Sequence, residues 1–156
     1  MMKSIIFLVF LIVSFDCELT RHSDDVLKRE RIFIEAHRGV TNGQNNHNTK
    51  EAILNAIDNG VEAFETDAQL TYDKKVILLH DNEIQIDNGI FAKVNGLTWS
   101  FLQETVKIDG KYQIPLLEDI MIITKGKIFM NLEIKDDNDE IWEIIKELIE
   151  KYEYFD

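Results

Sequence analysis

The sequence is poor in cysteine and in basic residues. Its single cysteine, Cys17, has no partner with which to form an internal disulfide. Lysine and arginine total 17 against 29 aspartate and glutamate residues, which gives a formal net charge of −12. Nucleic acids and anionic membranes both attract basic surfaces, so this charge argues against either as a partner. An anionic small molecule would need local neutralisation by a metal ion or by specific arginine and lysine residues.

The amino-terminal stretch MMKSIIFLVFLIVSF carries one lysine followed by an apolar run. The run is too short to span a bilayer comfortably, so residues 1–17 are predicted to be a secretory signal, with a short membrane anchor as the alternative. Residues 18–30 form a polar lead-in to a single domain over residues 31–156. The protein is therefore expected in the secretory pathway or outside the cell, without a stable membrane span after the signal is removed.

One stretch, VEAFETDAQLTYDKKVILLHD (residues 61–81), organises the rest of the chain. Alternate side chains of a strand share a face, so Glu65 and Asp67 are expected to point the same way, about 7 Å apart along the strand. Two carboxylates aimed at one point repel each other unless a cation or a proton lies between them. The pattern therefore indicates either a site for a hard cation such as Mg²⁺ or Ca²⁺, or an exposed strand face with two solvated acids.

The surrounding pattern is strand–helix–strand, the unit of parallel α/β folds. A β-rich run over residues 31–37 precedes a helix over Asn48–Asn59, for which Asn48 is the predicted cap, and the Val61–Gln69 strand follows. Only Leu70–Lys75 separates that strand from Val76–His80, which is too short for a parallel crossover, so the two segments are predicted to form an antiparallel hairpin. A third core strand is predicted over residues 127–135, and residues 82–96 are expected to be irregular.

Polar residues gather at or just beyond the carboxyl ends of these predicted strands, where parallel α/β folds place their chemistry. The ordered set of segments resembles the glycerophosphodiester phosphodiesterase family, whose fold is a (βα)₈ barrel. The resemblance extends over nearly everything after residue 30. It rests on AHRG (residues 36–39), ETDAQLTYDKKVILLHD (65–81), IPLLEDI (114–120) and NLEIK (131–135).

The resemblance implies metal-dependent hydrolysis of a small-molecule glycerophosphodiester to glycerol 3-phosphate and an alcohol. It also implies a role for each matching residue. Glu65, Asp67 and Glu133 match the ligands of Ca²⁺ or Mg²⁺, His37 and His80 match the general acid/base pair, and Arg38 and Lys135 match the basic residues near the phosphate.

The chain departs from the family pattern in composition and in length. His47 stands where the family usually has a glutamate before the first helix, and Glu35 stands where it prefers an apolar residue. A closed barrel needs about 250 residues, whereas this chain accounts for three barrel strands and the hairpin. The predicted fold is therefore a partial, truncated (βα)₈ TIM barrel, whose open half-barrel is expected to self-associate.

Two alternatives remain open beside the hydrolase. One is a non-catalytic remnant that binds a cation or a partner, and the other is a phospholipase D-like lyase that forms a cyclic phosphate.

Overall fold

The computed structural model of the chain describes residues 33–87, 89–136 and 138–154. The predicted signal (residues 1–17) and the polar lead-in (18–30) lie outside these ranges. Among the described residues, no helix is both long enough and apolar enough to cross a membrane. The elements in chain order are β1 (Glu35–His37), α1 (Lys50–Asp58), β2 (Ala63–Leu70), β3 (Val76–Leu78), β4 (Glu83–Asp87), β5 (Ile90–Lys93), a 3₁₀ turn (Val94–Gly96), α2 (Trp99–Thr105), α3 (Leu117–Thr124), β6 (Phe129–Ile134) and α4 (Glu140–Lys151).

Strand β2 is the centre of a four-stranded sheet. Strands β1 and β6 both pair with it in parallel, and β3 pairs with it antiparallel, which confirms the predicted hairpin. Glu65 pairs with both β1 and β6, and Ala68 pairs with both β3 and β6. Since a strand has only two edges, β1 and β3 must lie end to end along the same edge of β2, opposite β6.

All eight residues of β2 are buried, as expected of a central strand. Phe64, Ala68 and Leu70 belong to the main hydrophobic core, together with residues of β6 and of helices α1, α3 and α4. Complete burial of a side chain such as Phe64 stabilises the fold by about 2 kcal/mol. Glu65 and Asp67 alternate with these apolar residues and so point to the opposite face of the sheet. That face is where the polar groups of the molecule converge.

Residues 82–96 were predicted to be irregular, and that prediction is wrong for most of the segment. Strands β4 and β5 form an antiparallel hairpin with a register shift between Gln85 and Asp87. Ile84 is buried in a second, smaller core with Ile77 and Leu102, and this packing holds the hairpin against the rest of the chain. Alternating Ile84 and Ile86 before an Asn-Gly pair is the usual sequence pattern of a hairpin.

Candidate functional site

Three carboxylates from two parallel strands meet on one face of the sheet. The register places Asp67 of β2 directly opposite Glu133 of β6, and Glu65 lies two residues earlier on β2. One oxygen from each of the three side chains lies within 4.8 Å of the others. Asp67 is fully buried and Glu65 is 9% exposed, so water screens their mutual repulsion poorly. The sequence prediction that these residues converge agrees with this geometry.

Asp67 is surrounded by donors from three other segments. Arg38 Nε lies 3.1 Å from its Oδ2, and Lys135 Nζ lies 3.1 Å from its Oδ1. The Asn48 side-chain amide donates to Oδ2 at 2.7 Å. A buried carboxylate is stable only with such partners, because the loss of its hydration costs several kcal/mol. Arg38 and Lys135, the two predicted phosphate-binding residues, therefore stand beside the carboxylate cluster.

Lys135 joins two of the three carboxylates. Its Nζ is 2.6 Å from Glu133 Oε1 as well as 3.1 Å from Asp67 Oδ1. Burial opposes the charge on this amine, but hydrogen bonds and ion pairs with Glu133 and Asp67 outweigh that effect, so the pKa of Lys135 is raised above its ordinary value of 10.5. The side chain thus stays cationic at any physiological pH.

Glu65 has the most perturbed environment in the cluster. Burial, and then the neighbouring charge of Asp67, raise the pKa of the Glu65 carboxyl from 4.5 to about 7. The backbone N–H of Arg38, which donates to Glu65 Oε2 at 3.1 Å, opposes this rise. Near neutral pH this group therefore exchanges a proton readily. A carboxylate held in this state is stabilised by any cation that approaches it.

The cluster fits a hard divalent cation. Although Lys135 Nζ lies at ion-pair distance, the buried Oδ1 of Asp67 has no hydrogen-bond partner of good geometry among the described residues. Carboxylate oxygens are the ligands that Ca²⁺ and Mg²⁺ prefer. The three acids that would hold the ion are Glu65, Asp67 and Glu133.

The two predicted catalytic histidines reach this region along the same edge of β2. His37, the last residue of β1, stands opposite Glu65 in register, and its Nε2 is 3.8 Å from Glu65 Oε2. From the other direction, the Leu79 backbone N–H donates to the Asp67 carbonyl at 2.8 Å, which brings His80 to the level of the carboxylates. His80 Nδ1 lies 2.7 Å from Asp81 Oδ1. The side chain of His37 is 71% exposed and that of His80 41%, so solvent and solutes reach both rings.

Asn48 is the site residue whose role the sequence did not indicate. It was predicted to cap the first helix, but the cap is Thr49, whose Oγ1 accepts from the Ala52 backbone N–H at 3.2 Å. Asn48 instead has a positive φ of 58° and turns its buried side chain toward β2. There it donates to Asp67 and accepts from the Thr66 hydroxyl at 2.8 Å. Asparagine adopts this backbone conformation more readily than most residues, and that is the only local signal for its position.

The two departures from the family pattern lie at the margin of the site. His47 is exposed. Glu35 lies on the same face of β1 as His37 and accepts a hydrogen bond from Asn131 at 3.3 Å. On this open face the rings of Phe33 and Phe129 contact each other with centroids 6.5 Å apart.

Comparison with known proteins connects this geometry to one family. The family model described as the glycerophosphoryl diester phosphodiesterase family matches residues 37–154. A glycerophosphodiester phosphodiesterase from Bacillus altitudinis is 32% identical over 138 residues, covering 79% of this chain and 54% of the relative. A lysophospholipase D from Mus musculus is 28% identical over 139 residues, covering 80% of this chain and 44% of the relative.

Solved structures agree in fold. A glycerophosphodiester phosphodiesterase from Thermotoga maritima superposes with a TM-score of 0.65 at 27% identity, covering 79% of this chain and 51% of that protein. An Oleispira antarctica phosphodiesterase, solved with sn-glycerol-3-phosphate, superposes with a TM-score of 0.65 at 21% identity, covering 76% and 51%. The predicted partial TIM barrel is thus confirmed. The chain spans about half the length of the curated relatives that it matches.

Proposed function

Because the chain belongs to the glycerophosphoryl diester phosphodiesterase family, we propose that it acts in the hydrolysis of glycerophosphodiesters to glycerol 3-phosphate and an alcohol. The observation that carries the proposal is the convergence of three carboxylates with Arg38 and Lys135 on the open face of the sheet. A phosphodiester is an anion and a poor electrophile, so a site for its cleavage must supply positive charge. Arg38 and Lys135 supply part of that charge in an otherwise acidic protein, and a bound cation would supply the rest.

The charges of the cluster support an anionic substrate only when a cation is bound. Once Glu65 has lost its proton, the three carboxylates beside Arg38 and Lys135 leave one negative charge in excess. With a divalent cation present, the same groups carry one positive charge in excess, which a phosphodiester monoanion neutralises. We therefore propose Ca²⁺ or Mg²⁺ as the cofactor, held by Glu65, Asp67 and Glu133. Such an ion, when bound, polarises the phosphoryl oxygens.

The cationic side chains orient the substrate in this proposal. Lys135 is held between Asp67 and Glu133, and Arg38 is held by Asp67, so neither has to be ordered when the substrate binds. Fixed donors of this kind stabilise charge that develops on phosphoryl oxygens without reorganisation at the moment of reaction.

His37 and His80 are the proposed acid and base. Imidazole titrates near neutral pH, so one ring can accept a proton from the nucleophile while the other donates a proton to the departing alcohol. If His80 donates through Nδ1 to Asp81, its Nε2 is the atom that exchanges the proton. His37, next to Glu65, approaches along the same edge of β2 from the opposite direction.

Two features of the reaction are to be determined by assay: which alcohol leaves, and whether water or the substrate's own hydroxyl is the nucleophile. The Mus musculus relative is named a lysophospholipase D, so a glycerophosphodiester bearing an acyl chain belongs among the substrates to be assayed. Attack by the substrate's own hydroxyl would give a cyclic phosphate, and attack by water would give glycerol 3-phosphate directly. Product analysis separates the lyase from the hydrolase.

The test is hydrolysis of glycerophosphocholine with added Ca²⁺ or Mg²⁺, at a protein concentration low enough to keep the chain monomeric, followed as release of glycerol 3-phosphate. His37→Ala and His80→Ala should each lower kcat by roughly 10²- to 10⁴-fold, the usual range for the loss of an acid or a base. His47→Ala, which removes the exposed histidine outside the cluster, is the matched control and should leave kcat nearly unchanged. Turnover close to wild type in His37→Ala or His80→Ala would contradict the assigned roles. Cation binding without turnover would instead favour a non-catalytic remnant.

A further inference from the structure

Gln69 is a buried polar residue on the same face of β2 as the carboxylates. It follows Glu65 and Asp67 at the same two-residue spacing, and only 4% of its surface is exposed. Its side-chain amide nitrogen donates to the Leu79 carbonyl at 2.7 Å and to the Asp81 carbonyl at 2.9 Å. The two accepting carbonyls therefore lie immediately before and immediately after His80.

Apart from the packing of Leu79 against the second core, the described residues offer few other attachments that would fix the segment from Leu79 to Asp81. Strand β3 ends at Leu78, so the ladder between β2 and β3 stops before His80. The Leu79 backbone N–H still donates to the Asp67 carbonyl at 2.8 Å. Beyond that bond, the segment is linked to β2 by the two hydrogen bonds from the Gln69 side chain. The side chain of Asp81 is 75% exposed, so its contact with the His80 ring does not itself anchor the segment.

We propose that Gln69 is a positioning residue that fixes the His80–Asp81 segment, and thereby the His80 ring, relative to the carboxylate cluster. The inference rests on the proposed function for its catalytic consequence. Gln69 does not act on the substrate in this proposal. Its two N–H groups hold the backbone on either side of His80. A misplacement of about 1 Å in a group that must meet the substrate can cost about a hundredfold in rate.

The substitution that isolates this role is Gln69→Leu, which keeps a similar volume and removes both donors. We expect kcat to fall roughly ten- to a hundredfold with little change in KM, because the substrate-binding charges of Arg38 and Lys135 remain in place. In a His80→Ala background the same substitution should cause no further fall, since Gln69 acts through His80. Gln103→Leu, an exposed glutamine on α2, is the matched control.

A second readout does not depend on turnover. In protein with ¹⁵N-labelled histidine, the ring signals of His80, assigned by their loss in His80→Ala, should shift in Gln69→Leu and stay unchanged in Gln103→Leu. If Gln69→Leu does not fold, Gln69→Asn keeps an amide at the position and shortens its reach, and the same measurements apply. Unshifted His80 signals, an unchanged kcat, or a full additional loss in the His80→Ala background would each overturn the proposal.

Failure of the proposed function would look different. The wild-type protein would show no turnover with either cation, while the ring signals would still decide how His80 is held.

Discussion

At the scale of single residues, the site is a balance between buried acids and the cations beside them. Asp67 is fully buried and has two cationic neighbours, whereas Glu65 has the Arg38 backbone N–H and an exposed imidazole. Burial of Glu65, and then the neighbouring charge of Asp67, raise the pKa of its carboxyl to about 7, so its charge near neutral pH depends on whether a cation is bound.

Replacement of Glu65 by glutamine should weaken the binding of Ca²⁺ and Mg²⁺ by at least about tenfold, because it removes a ligand charge while keeping the size of the side chain. Titration calorimetry measures the affinity directly. Glu35→Gln is the matched control, since Glu35 is a carboxylate on the same face that lies outside the cluster. Unchanged affinity in Glu65→Gln would show that the cation, if one binds, is held elsewhere.

The pH dependence of stability should carry the signature of Glu65 when no divalent cation is present. Its folded-state pKa of about 7 lies above the ordinary value of 4.5, so the folded protein binds the proton more tightly than the unfolded chain does. The stabilising effect of protonation is complete below the ordinary pKa and is lost as the pH rises through about 7. Between about pH 5 and about pH 8 this loss amounts to about 2 kcal/mol.

The measurement is urea unfolding in a chelating buffer at fixed, low protein concentration across that pH range. The free energy of unfolding of the wild-type protein should fall with pH relative to that of Glu65→Gln, which cannot titrate at this position. Parallel pH profiles for the two proteins would contradict the raised pKa.

At the scale of elements, the turn between β1 and α1 fixes the first histidine and arginine of the site. Arg38 has a positive φ of 57° and Gly39 one of 82°, so the chain reverses sharply directly after His37. The Val40 backbone N–H then donates to the Ala52 carbonyl of α1 at 2.9 Å. The end of β1 is thereby held close to α1. In this turn the Arg38 backbone N–H donates to the Glu65 side chain.

Gly39→Ala should therefore destabilise the protein by about 3 kcal/mol or more, because it adds a clash to an unfavourable backbone conformation. A Cβ at this position would lie 2.7 Å from the backbone carbon of Ala52. Gly43 is the control that separates the clash from the backbone strain. Its φ of 80° is similar to that of Gly39, but a Cβ there would meet nothing within 4 Å. Thermal or urea unfolding of Gly43→Ala should show a loss of only about 1 kcal/mol. Equal losses for the two variants would mean that the contact with α1 is not what requires glycine.

The elements that were predictable from sequence are those governed by alternation and connection length. The two-residue period of β2 placed Glu65 and Asp67 on one face, and the short connection to β3 required a hairpin; both agree with the observed pairing. Asn48 was misassigned because asparagine and threonine are both good helix caps, so the local pattern cannot say which of Asn48 and Thr49 caps the helix. Two further hydrogen bonds were not predictable, because backbone donors and acceptors carry no sequence signal. They are the bond from the Arg38 backbone N–H to Glu65 and the bond from the Gln69 side chain to the Asp81 carbonyl.

At the scale of the whole molecule, the described sheet has two outer edges. Strand β1 on one side and β6 on the other have no further partner within the described ranges. The site face between them also exposes apolar surface, with Phe33 55% exposed beside Phe129. Unpaired N–H and C=O groups next to exposed aromatic rings favour association with another chain.

We therefore expect the 156-residue chain to self-associate, with little turnover while its open face is covered by another copy. Sedimentation velocity should show the mean mass rising with concentration from the monomer mass of 18.2 kDa. Phe33→Lys places a charge on the open face without touching the carboxylate cluster, and it should shift the distribution toward monomer because a buried lysine would lose its hydration. Ile122→Lys, an equally exposed apolar residue on α3, is the matched control and should leave the distribution unchanged. A wild-type chain that remains monomeric over the whole concentration range and turns over substrate at an ordinary rate would contradict this expectation. It would also mean that β1, β2, β3 and β6 hold the carboxylates and both histidines in working geometry without a further strand on either edge.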